Sequence, residues 1–263
     1  MRKLAYILGI VLLASSCQKV IDVDLNEANQ TIVIEGNYTG EDSTVRVSVT
    51  LTSSYFNNDP SPTVDNAVVT ITDQNGATTV IPSIGNGLYE LTGYTPDYGT
   101  RYTLSVVSDG QTYNAGCLMP APVQLDPITY QYLDGFFGAD PGYVSILNFQ
   151  DPANTTDFYQ IVITENQTSF DRIDQIQTQD DALTNGNYIQ RPLFLSDLSQ
   201  LGDTISYEFR TVDEVIFDYT FQAVDIAGGS NSAAPGNPIT NWDNGALGYF
   251  NAYGVSRDTV VIQ

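Results

Sequence analysis

Hydrophobic and polar residues alternate along most of the chain from residue 30 onward. In the stretch TVRVSVTLT (44–52), valine and leucine occupy one face of an extended chain, and arginine, serine and threonine occupy the other. This period of two is typical of a β-strand with one buried face. The runs TIVIEG and GLYELTG have the same character. The pattern therefore predicts a mainly β protein.

Turn signals divide these runs into hairpins. Asn75-Gly76 and Asp109-Gly110 each join two β-like segments, and such dipeptides favour tight hairpin turns. About seven short strands at this spacing predict an antiparallel β-sandwich of immunoglobulin or transthyretin-like type over residues 30–119. Tyr102 follows a glycine turn in YGTRY, so it is either a tyrosine corner or an ordinary strand tyrosine.

A proline-rich segment, MPAPVQLDP, interrupts the strand pattern. Pro120, Pro122 and Pro127 lack the N–H group that a β-ladder needs and favour extended backbone. We therefore predict a hinge at 120–127. A second β-sandwich domain, fibronectin-like and β-rich, is predicted over 128–263.

Two segments of the second domain depart from the β pattern. Residues 165–192 are polar and weakly periodic, and this predicts a long insertion. In TVDEVIFDYTFQAVDIAGG, apolar residues recur at three- and four-residue spacing, with acids at the start and glycines at the end. This spacing predicts a helix at about 213–226.

The amino terminus has the charged, apolar and small order of a signal peptide over residues 1–16. Its apolar run of about 11 residues would extend only about 16 Å as a helix, too short to span a bilayer. Small residues precede Cys17 and resemble a lipobox, although Leu13 lies one place earlier than usual. Lipidation of Cys17 would anchor a tether at 17–29. The alternative is an ordinary secretory signal with an incidental cysteine.

Composition narrows the range of functions. The formal charge of −22 would repel an anionic polymer, so nucleic-acid binding is not expected. The chain has no histidine, which excludes Ser-His-Asp and Cys-His catalysis and histidine-ligated zinc. With Cys17 lipidated, Cys117 would be the remaining thiol, and its strand-like context favours a buried apolar role over a reactive one. We expect no enzyme activity, cofactor or metal site; bound calcium is the alternative that the acidic composition leaves open.

Several features occur in a set order along the chain: the lipobox, the TIVIEG strand, the VDNAVVTITDQNG hairpin, the GLYEL and YGTRYTLSV strands, the proline hinge and the late segment NPITNWDNGALGYFNAYG. Together they resemble a Bacteroidota family of lipoproteins that carry a domain of unknown function and are typically encoded beside TonB-dependent receptors. The resemblance implies a lipid-anchored outer-membrane protein with an immunoglobulin-like module and a receptor partner. It implies no catalytic residue.

The same resemblance bears on orientation. Surface export in that phylum is associated with acidic residues directly after the anchor cysteine. Here Gln18 and Lys19 follow Cys17, and Asp22 and Asp24 come later. We expect the protein to be displayed on the cell surface. The alternative is a lipoprotein that faces the periplasm.

Acidic residues are densest at Asp171, Asp174, Asp180 and Asp181. Their spacing matches no dedicated calcium loop, so a solvated acidic loop is favoured over a metal site. No local pattern marks a pair of glycosidase carboxylates either.

Aromatic and amide residues cluster near the carboxyl terminus. Trp242, Asn244, Tyr249 and Tyr253 combine flat apolar faces with directional polar groups, as a sugar or peptide contact requires. We consider them candidate partner-binding residues. The alternative places Trp242 beneath its loop and the tyrosines against a core.

Three Asp-(Ser/Thr) triplets fit the O-glycosylation pattern of the same phylum. Their acceptors are Ser43, Thr204 and Thr259.

The family resemblance, together with the absence of catalytic motifs, implies a noncatalytic accessory protein of a TonB-dependent receptor that captures ligand or stabilises the complex. The alternative is a structural adhesion or envelope-assembly lipoprotein with no transported ligand. Gene neighbourhood discriminates the two, because the first requires an adjacent receptor gene.

Lipidation can be tested at Cys17. The Cys17→Ser variant lacks the thiol that would be acylated, so it should leave the membrane pellet and lose the mass of the acyl chains. Cell fractionation and intact-mass measurement report both changes. A variant that stays in the pellet with unchanged mass would show that Cys17 is not the anchor.

Overall fold

A computed structural model of the chain describes residues 30–53, 60–135, 140–195, 197–228 and 236–263. The predicted signal peptide, Cys17 and the tether lie outside these residues. Strands make up 54% of the described residues and helix 6%, so the mainly β prediction is confirmed. Among the described residues, no helix is both long and apolar enough to span a membrane.

Sixteen strands and one helix are defined within the described residues. They are β1 (Ile32–Thr39), β2 (Thr44–Leu51), β3 (Val68–Thr72), β4 (Thr78–Ile81), β5 (Ser83–Gly85), β6 (Leu88–Leu91), β7 (Thr100–Ser108), β8 (Gln111–Met119), β9 (Leu125–Leu133), β10 (Gly142–Gln150), β11 (Phe158–Glu165), β12 (Thr168–Phe170), β13 (Gln177–Asp180), β14 (Tyr188–Leu193), β15 (Thr204–Val212), α1 (Glu214–Ala227) and β16 (Leu247–Val261).

The described strands form three sheets. The largest has the order β12-β11-β15-β16-β1-β2-β6-β5, with β13 also paired to β11. A four-stranded sheet, β4-β3-β7-β8, faces one half of it, and a three-stranded sheet, β14-β10-β9, faces the other half. The chain therefore forms two β-sandwiches that share one long sheet.

Each sandwich has its own hydrophobic core. The first core contains Ile34, Val47, Leu104 and Phe250, all at most 1% exposed. The second core contains the inward residues of β9, β10, β11, β14 and β15, which include Phe149, Tyr159 and Phe209. The aromatic rings in this second core stack closely, for example Tyr159 on Phe209 at 4.8 Å between centroids.

Strand β16 joins the two sandwiches. Its first half, Leu247 to Tyr253, runs parallel to β1, and its second half, Gly254 to Val261, runs antiparallel to β15. The change of partner falls at Gly254, where an added Cβ atom would lie 2.5 Å from the backbone nitrogen of Pro122. Only glycine leaves room for the hinge to cross the strand at this point.

The proline-rich segment is fastened to the long sheet. Val123 N donates to Thr211 Oγ1 at 3.1 Å, and Leu125 N donates to Ser256 Oγ at 3.1 Å. The predicted hinge at 120–127 is shorter in the structure, because β9 already begins at Leu125. Pro127 lies within β9, an edge strand of its sheet, where proline is tolerated.

The helix predicted at about 213–226 is confirmed at Glu214–Ala227. Two other predictions need correction. The polar segment at 165–192 contains β12, β13 and part of β14 and so contributes to both sheets of the second sandwich. The boundary at 120–127 assigned residues 242–253 to the second domain, but Trp242, Phe250 and Ala252 complete the first core because β16 pairs with β1.

The surroundings of Tyr102 and Cys117 in the first sandwich decide between the alternatives predicted for each residue. Asp97 N donates to Tyr102 Oη at 2.8 Å, which is the backbone contact of a tyrosine corner. Cys117 is fully buried, and burial raises the pKa of its thiol to about 12. The thiol therefore stays protonated and acts as a buried packing group.

Candidate functional site

A large cavity of the described chain is a groove where the two sandwiches meet. Its volume is about 890 Å³. One wall is the proline-rich segment from Pro120 to Gln124, and another is the loop between β10 and β11 with Pro152 and Thr156. Tyr98, whose side chain is 45% exposed, lies at the groove on the side of the first sandwich. We call this cavity the junction groove.

The amino-terminal end of α1 borders the junction groove. Asp213 precedes the helix and accepts hydrogen bonds from Leu118 N at 2.8 Å and from the Arg101 guanidinium at 3.2 Å. Its side chain therefore ties the helix to β7 and β8 instead of capping the helix. Glu214, the first helical residue, is exposed at the same place.

Three aspartates converge beside the junction groove. Asp151, Asp157 and Asp181 come from the end of β10, the start of β11 and the segment after β13, and their carboxylate oxygens lie within 4.8 Å of one another. All three residues are at most 8% exposed. We call this group the aspartate cluster. Of its members, Asp157 also lines the groove.

Hydrogen bonds fix the cluster in place. Asp151 Oδ2 accepts from Gly186 N at 2.9 Å, and Asp181 Oδ2 accepts from Asp157 N at 2.9 Å. Asp157 Oδ2 accepts from the Thr155 hydroxyl at 2.6 Å. The carboxylates therefore hold three chain segments together.

The surroundings of Asp157 oppose the ionisation of its carboxyl group. Burial raises the pKa of Asp157, and the nearby charges of Asp151 and Asp181 raise it further, whereas the Thr155 hydrogen bond lowers it. No arginine forms an ion pair with these carboxylates in the part of the chain that is described.

The carboxylate oxygens of the aspartate cluster are of a type that can bind a metal ion. Carboxylate oxygens that converge from separate segments are the ligands that Ca²⁺ prefers. The same oxygens also accept hydrogen bonds from their own loops, and these bonds fasten the loops without an ion. The cluster thus presents negative charge beside the junction groove and offers Asp157 as a polar contact.

The acidic residues predicted from sequence are only partly brought together. Asp181 belongs to the aspartate cluster, but its neighbours there are Asp151 and Asp157. Asp171 and Asp180 are exposed, and Asp174 pairs with Arg172 at 3.1 Å. For Asp171, Asp174 and Asp180, the favoured solvated loop agrees with these positions.

Trp242 does not present a free aromatic face. It is 5% exposed in the first core, and its indole Nε1 donates to Ile34 O at 3.0 Å. The candidate partner-binding role is therefore corrected to the alternative, in which Trp242 packs beneath its loop.

The other three candidate partner-binding residues, Tyr249, Tyr253 and Asn244, lie at separate places in the structure. Tyr249 is half-buried beneath α1, 5.2 Å from the ring of Tyr219. Tyr253 is 8% exposed, with the Arg210 guanidinium 4.9 Å above its ring. Asn244 is exposed, and its amide donates to Thr112 O at 2.8 Å. These residues do not converge on one binding surface.

The predicted glycosylation acceptors differ in exposure. Thr259 is exposed on β16, and its hydroxyl lies 2.8 Å from Ser206 Oγ. Ser43 and Thr204 are half-buried. Ser43 lies in a turn with a φ of 52°.

Sequence reasoning missed the junction groove and two members of the aspartate cluster. The motifs QDP (150–152) and TTD (155–157) flank a short connection between two strands. Acids that end one strand and begin the next lie close together, and this signal could have suggested Asp151 and Asp157. Nothing local could have added Asp181.

The fold and groove define a two-sandwich β protein with an acidic cleft at the junction. A family model, the domain of unknown function DUF4249, matches residues 18–259. The chain therefore belongs to the DUF4249 family.

Comparisons outside the family add little. No curated protein matches the chain. A solved structure titled "Cytokine receptor complex - Crystal form 1A" is similar at 11% sequence identity, covers 70% of this chain and 85% of its own, and has a TM-score of 0.28.

The pKa of Asp157 yields a pH-dependent prediction. Because the folded protein binds this proton more tightly than the unfolded chain does, the free energy of unfolding falls as pH rises above the ordinary carboxyl value of 3.8. Asp157→Asn removes the charge and retains an acceptor for Thr155. We expect the variant to have a higher thermal midpoint than the wild type at neutral pH, by about 2–4 °C for each kcal/mol gained in the free energy of unfolding.

The gain should shrink as pH falls through the carboxyl range, where wild-type Asp157 becomes protonated. Asp140→Asn, at an exposed site, is the matched control for the loss of one negative charge. A lower midpoint for Asp157→Asn at neutral pH would contradict the assigned electrostatics.

Burial of Trp242 yields a stability prediction. Trp242→Ala should cost about 3–5 kcal/mol of unfolding free energy, because it empties a core site and removes the bond to Ile34 O. Denaturant unfolding measures the loss. The control Asn244→Gly, on the exposed part of the same loop, tolerates the φ of 53° there and should cost no more than about 1 kcal/mol. Equal small effects for both variants would place Trp242 outside the core.

Proposed function

We propose that the protein is a noncatalytic, lipid-anchored accessory protein of an outer-membrane TonB-dependent receptor, and that it captures its ligand or receptor segment in the junction groove. The observation that carries the proposal is the groove itself, an 890 Å³ cavity between two cores. Binding clefts are commonly found at such domain junctions.

The groove is bordered by fixed elements. Its proline wall is hydrogen-bonded to β15 and β16, and Asp213 ties the helix end to β7 and β8. Rigid walls reduce the entropy that binding would otherwise cost. These contacts favour recognition in a preformed cleft.

The lining specifies a ligand chemistry. Leu118, Val123 and Phe158 provide apolar surface, and Asp157 and Glu214 provide negative charge. The chain as a whole is also negatively charged, with a formal charge of −22. A segment with an apolar body and a cationic or neutral polar group would complement this lining, whereas a polyanion would be repelled.

The membrane and receptor parts of the proposal rest on the chain's amino-terminal pattern and its family resemblance. The charged, apolar and small order before Cys17 supports a lipid anchor. The resemblance supports an outer-membrane location, with the cell surface as the expected face, and a TonB-dependent receptor as partner. No catalytic role is assigned to any residue of the groove.

The proposal can be tested by recovery of the receptor. The full lipidated chain would be purified from its native host after cross-linking, and co-purified receptor would be quantified by mass spectrometry. Tyr98→Ala removes an exposed aromatic contact at the groove, and Glu214→Lys reverses a charge there. Each should reduce receptor recovery by about tenfold or more, as loss of a hot-spot contact would.

Matched variants lie away from the groove lining. Tyr132 is exposed to a similar degree on β9, so Tyr132→Ala controls for loss of an exposed tyrosine. Asp218→Lys makes the same charge change elsewhere on α1. Full recovery with both groove variants would exclude the groove. Wild-type protein that recovers no TonB-dependent receptor would reject the accessory role and favour the adhesion or envelope-assembly alternative.

A further inference from the structure

A second cavity lies at the open edge of the second sandwich, away from the junction groove. Its volume is about 550 Å³, and it lies between α1 and the edge strands β13 and β14. Arg191, Asp180, Leu183, Phe217 and Phe221 are among its lining residues. We call it the edge pocket.

Arg191 is the distinctive group of the edge pocket. Its Nη1 donates to Thr178 O at 3.2 Å and to Gln179 Oε1 at 3.0 Å, and its Nη2 donates to Gln177 Oε1 at 3.4 Å. All of these acceptors are neutral. The Nε–H group and one Nη2–H group have no acceptor among the described residues, so they are available to a ligand.

The lack of a carboxylate partner sets Arg191 apart. The other arginines of the described chain all form ion pairs with aspartate or glutamate, namely Arg46, Arg101, Arg172, Arg210 and Arg257. In a chain with 31 acidic residues and 9 basic ones, an arginine without such a pair is unexpected. Burial also lowers the pKa of Arg191, and a bound anion would oppose that effect.

The remaining walls of the pocket are apolar and aromatic. Phe217 and Phe221 stack with their ring centroids 6.3 Å apart and their planes at 19°. Phe221 is 59% exposed and Leu183 is 95% exposed, which is unusual for large apolar side chains. A ligand that covered these groups would gain the hydrophobic effect as well as the contact with Arg191.

We propose that the edge pocket binds a small monocarboxylate with an apolar or aromatic body. The carboxylate accepts from the free N–H groups of Arg191, and the body packs against Phe217, Phe221 and Leu183. The planar carboxylate of such a ligand can accept two parallel hydrogen bonds from the guanidinium group, a geometry that the lysine ammonium group cannot provide. The site is independent of the junction groove and takes the opposite ligand charge.

Asp180 limits which anions fit. Its carboxylate also lines the pocket, where Oδ1 accepts from Ala182 N at 3.3 Å. This negative charge repels a second anionic group on the ligand. A single carboxylate is therefore favoured over a dicarboxylate or a phosphate ester.

The test uses 4-phenylbutyrate as the probe, with the full chain followed by amide and Arg Nε–H chemical shifts in NMR titrations. The expected result is saturable binding that shifts Arg191 Nε–H. The neutral analogue 4-phenylbutyramide should bind at least about tenfold more weakly, because it lacks the charge-assisted hydrogen bonds. Asp180→Asn should tighten binding of the carboxylate.

Two variants separate the site from a structural role of Arg191. Arg191→Gln should weaken 4-phenylbutyrate binding by about tenfold or more, whereas Arg172→Gln makes the same change in charge at an exposed loop and should leave binding unchanged. Phe221→Ala alters an exposed wall, so it should weaken binding with little effect on folding. Absence of saturable binding, equal binding of the amide, or wild-type affinity in both Arg191→Gln and Phe221→Ala would overturn the proposal.

Discussion

The pairing of β16 with two different strands is the interaction on which the rest of the structure depends. Its first half completes the first core beside β1, and its second half completes the second core beside β15. A single strand that enters two cores resists any relative movement that would break either ladder. Gly254 makes the arrangement possible, because the proline-rich segment crosses the strand where a side chain would collide with Pro122.

This shared strand also gives the junction groove its shape. With the two sandwiches joined through one sheet, the connecting segment packs as a wall and its N–H groups find acceptors on β15 and β16. The aspartate cluster then fastens the opposite side of the cleft through bonds between separate loops. The junction groove is therefore a cleft that forms as the protein folds.

Local patterns predicted much of the fold, and long-range pairing could not be predicted. Alternating valines in TVRVSVTLT predicted a strand because side-chain alternation is a property of the strand itself. By contrast, residues 177–180 (QTQD) show no apolar alternation, since they form an edge strand whose glutamines face Arg191. The parallel pair of Val33 with Leu247 joins distant parts of the chain and leaves no local signal. For the same reason, the sequence could not show that Trp242 lies in the first core, or that Asp181 meets Asp151.

The most direct test of this account is native-state hydrogen exchange of the β16 amides as a function of urea. If one strand couples the two cores, slowly exchanging amides in Phe250–Tyr253 and in Val255–Val260 should share one opening free energy and one urea dependence, both equal to those of global unfolding. Separate openings, with one half of the strand exchanging at much lower free energy than the other, would contradict the account.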